Sequence, residues 1–252
     1  MKTLLTFVFL ICVSFMYAQE QEAVLSTDRP GNSYSTTILP SNSVQLEYGI
    51  GYLEKVHNTF QIRGGTNDKL ELKLGGIFSG NRLESMSMGT KFILFNEGPK
   101  MPAISGLVVF NFPNEEHLTD SSMFTIPSAS LLLQKTFLDN LTILSNIGTS
   151  YYSYNEKFNY QYSLYASYMF KNKMMPLIEY YRDFDKTQYG NIGIFYCLRN
   201  NLSIDAALYT EINNNFKYNK FEIGISWNIS EKDIFETIQN HHKEPINLVL
   251  YR

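Results

Sequence analysis

The chain is poor in cysteine, tryptophan, histidine and charge. It has two cysteines, one tryptophan and four histidines in 252 residues, and Asp, Glu, Lys and Arg make up 18% of it, below the roughly 25% usual for soluble domains. Cys12 lies in an N-terminal apolar run, Leu4 to Tyr17, that follows Lys2 and ends at the small residue Ala18. This reads as a secretory signal peptide over residues 1–18, too short in its apolar part to span a bilayer comfortably. Removal of Cys12 leaves Cys197 as the only thiol, so an intrachain disulfide is excluded, and an exported chain without one draws its stability from a large core or from a membrane. Beyond the signal no apolar run approaches the ~20 residues of a membrane helix. A net charge of −3 gives no basic footprint for nucleic acid.

Signals for helices and for catalysis are equally scarce. Only Glu231 to Asn240 reads as a short amphipathic helix. There is no G-x-S-x-G, and neither His57 nor His117 is set beside a serine at a depth that suits a nucleophile–base pair, so an enzyme is not expected. His241 and His242 with Glu244 have metal-ligating chemistry, but adjacent histidines in a terminal tail are ordinarily solvated; neither metal nor cofactor is expected. Gly49, Gly51, Gly75 and Gly76 are strand glycines rather than phosphate loops, because no helix follows them.

What the chain has is alternation. "VQLEYGIGY" sets Val44, Leu46, Tyr48, Ile50 and Tyr52 against Gln45, Glu47, Gly49 and Gly51. "KLELKLGG", "NYQYSLYASYMF", "LSIDAALYT" and "FEIGISWNI" repeat the pattern, which marks half-buried strands. Twelve such segments begin near residues 43, 57, 69, 84, 102, 126, 141, 158, 174, 188, 201 and 220. Most run 10 to 13 residues, longer than the roughly 5–6 of soluble sheets and suited to the about 9–11 of a tilted membrane strand.

These features predict an all-β fold: an antiparallel transmembrane β-barrel of about 12 strands over residues 42–230, in the cell outer membrane. With the N-terminus in the periplasm, the turns "GTND", "NEGPK", "LDN", "KNK" and "RNN" face inward to the cell and the longer breaks, above all 113–122, face outward. A soluble sandwich or lipocalin-like barrel also alternates. Its outer face would have to be well charged, whereas the polar face here is mostly Ser, Gly, Asn and Gln. With 18 Tyr and 18 Phe, many near segment ends on the apolar face, interfacial aromatic girdles are the expectation.

"STDRPGNSY…LPSNSVQLEYGIGY", "LTILSNIGTSY" and "LSIDAALY…FEIGISW" resemble the meta-pathway phenol degradation-like family of outer-membrane transporters of Gram-negative bacteria. The resemblance is specific at the Asp-Arg-Pro opening and at the closing strand. It implies a porin-like transporter for passive uptake of small, often aromatic, molecules, with membrane lipid and the barrel-assembly machinery as partners. The chain departs from the family pattern in its tail, residues 231–252, expected in the periplasm.

With the apolar faces turned to lipid, the lumen receives Glu47, Arg63, Glu71, Lys73, Lys91, Glu179, Asp205 and Glu222, five acids and three bases, with Gln45, Gln61, Gln134 and Asn146. Such a set can line a selective conduit or pair off in a closed interior without transport. At twelve strands a barrel lies between the filled eight-stranded case and open porins. Residues 19–41 precede the first strand, and Pro30 and Gly31 keep "TDRPG" out of the sheet. Asp28 and Arg29 are then either a plug that pairs with wall charges or a solvated periplasmic turn.

Overall fold

The structure, a computed structural model, describes residues 27–53, 55–114, 126–138, 140–152, 157–171, 173–213 and 219–230. The expected signal peptide, His117 with most of the 113–125 loop, and the tail with its expected short helix, His241, His242 and Glu244 lie outside the described residues.

Twelve strands follow one another: β1 (Ser43–Leu53), β2 (Lys55–Asn67), β3 (Leu70–Ser79), β4 (Arg82–Phe95), β5 (Ala103–Pro113), β6 (Ile126–Phe137), β7 (Leu141–Tyr152), β8 (Lys157–Tyr168), β9 (Met174–Arg182), β10 (Gln188–Arg199), β11 (Leu202–Glu211) and β12 (Asn219–Ser230). Each starts within two residues of its expected position. Every strand pairs antiparallel with its neighbours, and β1 closes on β12 with Ser43 opposite Ser230 and Tyr52 opposite Phe221. The shortest ladder joins β8 to β9, where pairing ends at Ser167 opposite Leu177. The next residue of β9 is Pro176, which has no N–H to give the ladder.

Burial along the strands is inverted relative to a soluble barrel. The inward side chains of β2 and β3 include Arg63 and Glu71, both fully buried, while Leu72 beside Glu71 is 52% exposed. The same holds for Ser163 (buried) and Leu164 (56% exposed) on β8. An apolar outer face of this extent is stable only against lipid. Exposed aromatics gather toward both rims: Phe95, Phe137, Tyr168, Phe170 and Trp227 where even-numbered strands end, Tyr52, Phe112, Phe158, Tyr160 and Phe221 at the opposite rim.

Two expectations need correction. The lumen is not lined by polar groups alone: Leu107, Leu132, Leu144, Leu177 and Phe195 are buried on the inward side of β5 to β10. Nor are all far-rim connections long. Only Glu54 separates β1 from β2, and Gly80-Asn81 joins β3 to β4, with Gly80 at φ 58°. The longest far-rim connection, between β5 and β6, spans residues 114–125, while at the near rim residues 96–102 join β4 to β5.

Candidate functional site

The register of β1 to β4 gathers charged residues on the inner face. Gln45 and Lys73 both lie opposite Arg63, and Glu71 lies opposite Lys91. The Arg63 guanidinium forms a fork with Glu71, Nε to Oε1 and Nη2 to Oε2 at 2.9 Å each, and its Nη1 donates to Glu47 at 2.9 Å. Gln45 and Gln61 also donate to Glu47. The wall alone brings three cations, Arg63, Lys73 and Lys91, against two carboxylates, Glu47 and Glu71: a surplus of one positive charge.

Asp28 supplies the missing negative charge. Its carboxylate accepts from Lys73 Nζ at 2.6 Å and from Lys91 Nζ at 3.0 and 3.1 Å, with Arg63 Nε 3.7 Å away. Burial opposes ionisation of Asp28, but the pull of Arg63, Lys73 and Lys91 outweighs it and holds the carboxyl well below the usual aspartate range.

A second cluster, on β11 and β12, has the opposite surplus. Glu222 pairs with Lys220, Nζ to Oε2 at 2.8 Å, and Asp205 lies opposite Gly224 without a wall cation paired to it among the described residues, so the wall is one negative charge in excess. Arg29 neutralises it. Its Nε and Nη2 fork onto Asp205 at 3.3 and 3.2 Å, and Nη1 donates to Glu222 at 2.7 Å and to Thr59 on β2 at 3.1 Å. The guanidinium lies against Gly49 and Gly224, paired across β1 and β12, and a Cβ at either position would overlap it. Two adjacent residues of one segment thus fill two wall clusters of opposite sign.

The segment then crosses to the remaining walls. Gly31, at φ 128°, lets the chain turn so that Asn32 N donates to Glu179 at 3.0 and 3.1 Å and Ser33 Oγ donates to it at 2.5 Å. Asn191 completes the set, so Glu179 on β9 is buried on hydrogen bonds, with no cation paired to it among the described residues. Tyr34 exchanges two hydrogen bonds with Asn146 on β7, at 2.6 and 3.0 Å. Thr36 donates to Gln134 on β6 and accepts from Ser105 on β5. Leu39 N returns to Glu71 at 2.9 Å.

All eight wall residues expected in the lumen are buried there. Glu47, Arg63, Glu71, Lys73 and Lys91 form one network, Asp205 and Glu222 a second, and Glu179 stands apart. Thr59, Gly49 and Gly224 also meet Arg29, and Lys220 pairs with Glu222; none was signalled, because the closure of the barrel brings them together and a glycine in a strand carries no chemistry of its own to read. The segment does not fill the barrel: Asn32 and Thr37 are exposed, and a cavity of about 380 Å³ opens beside Thr36 to Pro40 at the rim where even-numbered strands end, the entry rim.

Solved structures show the same fold at low identity. The KdgM porin aligns with a TM-score of 0.58 at 9% identity, over 73% of this chain and 98% of its own. The NanC porin gives 0.57 at 9%, over 72% and 98%. An outer membrane channel from Pseudomonas putida F1 gives 0.59 at 9%, over 80% and 99%. No curated protein sequence matches the chain. The model of a family described as "Putative MetA-pathway of phenol degradation" matches residues 27–229, which take in the described lumen segment and all but the last residue of the closing strand.

Proposed function

The chain belongs to the "Putative MetA-pathway of phenol degradation" family, and from that premise we propose that it is an outer-membrane channel for passive uptake of small molecules. In this reading residues 27–41 act as a partial plug. The observation that carries it is the inversion of the barrel, with Arg63, Glu71 and Lys91 fully buried inside and Leu72, Leu164 and Ile192 exposed outside. The family description supports aromatic compounds among the solutes. The entry rim faces the periplasm, lipid covers the outer face, the barrel-assembly machinery inserts the exported chain, and no catalytic step is assigned.

A closed barrel that serves interaction rather than transport is the alternative. The full pairing of both charge clusters supports it, since a balanced buried network is also what a sealed interior requires. Purified protein in planar bilayers decides between them. The channel reading expects discrete conductance steps, together with fractionation in the outer membrane and heat-modifiable gel mobility. Silent bilayers from correctly folded protein would favour the closed barrel, and recovery as a soluble periplasmic protein would sink both.

A further inference from the structure

The place that holds Arg29 is shaped for one chemical group. Its floor is the bare backbone of Gly49 and Gly224, against which the planar guanidinium lies where any Cβ would overlap it. Its edge offers Asp205, both of whose oxygens are met by one guanidinium fork at 3.2 and 3.3 Å, then Glu222 at 2.7 Å and Thr59 at 3.1 Å. An ammonium is a compact point charge that would leave the floor uncovered and one Asp205 oxygen unmet; the planar fork satisfies both. Without Arg29 the wall cluster holds Asp205 and Glu222 against Lys220 alone, one buried negative charge in excess, so an empty slot would demand a cation.

We propose that this slot on β1, β2, β11 and β12 is a binding site for guanidinium-bearing solutes, such as arginine and short arginyl peptides, filled in cis by the chain's own Arg29. The cationic cluster around Lys73 and Lys91 is its companion, and takes the carboxylate carried by the residue before the arginine. "Asp-Arg" at 28–29 is then a resident pseudo-ligand, and a solute that presents the same pair of groups competes with the segment for the lumen. The inference rests on the reading of the barrel as a channel only for its physiological use; the binding itself does not need conduction.

The test is calorimetric titration of N-acetyl-argininamide into detergent-solubilised Arg29→Ala protein, with folding verified by heat-modifiable gel mobility. Saturable one-site binding is expected, at least tenfold tighter than to the unaltered protein, whose slot is filled. N-acetyl-lysinamide should bind at least tenfold more weakly than the arginine compound. Adding Gly224→Ala, whose methyl would occupy the floor, or Asp205→Asn should abolish binding. If Arg29→Ala does not fold, Arg29→Ser, which leaves the slot open and keeps a small hydrogen-bonding group, takes its place. Absence of binding to a folded variant, equal binding of the lysine compound, or binding indifferent to Gly224→Ala would each overturn the site. A silent bilayer with intact binding would refute the channel and leave the slot standing.

Discussion

On the β1–β4 and β11–β12 side of the lumen, Asp28 and Arg29 are met by charged groups that would be unbalanced without them. On the β5–β8 side, Tyr34 to Thr36 are met by Asn146, Gln134 and Ser105, set among Leu107, Leu132 and Leu144. One short segment is therefore held by ion pairs at Asp28 and Arg29 and by neutral hydrogen bonds at Tyr34 to Thr36, before Leu39 returns to Glu71. Breaking a buried ion pair by removing one partner costs far more than losing a neutral hydrogen bond. The charged wall thus fixes where the segment sits, and the neutral wall is where it can let go.

The largest effect should follow from unbalancing the charged wall. Arg63→Met leaves Glu47 and Glu71 buried without the guanidinium that binds both, and should lower unfolding stability in detergent by about 3–5 kcal/mol. Next comes the outer face: Leu164→Arg puts a cation against lipid on β8 and should cost about 2–4 kcal/mol near the midplane. A smaller loss is expected on the neutral wall. Asn146→Ala gives up both bonds to Tyr34, at about 1–3 kcal/mol, and should raise channel noise more than it lowers stability. Equal losses for Arg63→Met and Asn146→Ala would break the distinction between the walls.

Acid tests the same distinction without mutation. Since the folded-state value of Asp28 is depressed, its contribution is present above the ordinary aspartate value of about 3.8 and is lost only as pH falls through the lower folded value. Conductance should accordingly stay level as pH is lowered from neutrality toward about 4. A rise within that interval would show that Asp28 alone does not hold the segment. The least effect should come from Lys135–Glu97, a partly exposed pair outside the lumen. Glu97→Ala should change stability by about 0–1 kcal/mol, and less at high salt.

The barrel was legible in the sequence because lipid and lumen impose opposite demands on alternate residues, and β1, β3, β8, β11 and β12 obey both. It was less legible along β5 and β6, where "GLVVF" and "SLLLQ" carry apolar residues on both faces. There Leu107 and Leu132 line the neutral wall, so the alternation that elsewhere separates inside from outside is erased. The charged residues could be assigned to the lumen one by one, but their partners could not. Arg63 meets Glu71 and Glu47 only because of the register of three strands, which alternation leaves open by whole steps of two. Whether Asp28 and Arg29 were solvated or enclosed was undecidable for the same reason: their partners lie as far as 193 residues away in sequence.

Deletion of residues 27–41 tests the account most directly. Every strand survives it, because β1 begins at Ser43, and both wall clusters lose the charge that balances them. Single-channel conductance of the folded deletion protein should rise several-fold over that of the full chain, with added Asp-Arg-Pro-Gly peptide pushing it back down. Conductance equal to that of the full chain, in a deletion protein that still migrates as a closed barrel, would contradict the claim that this segment occupies the path through the lumen.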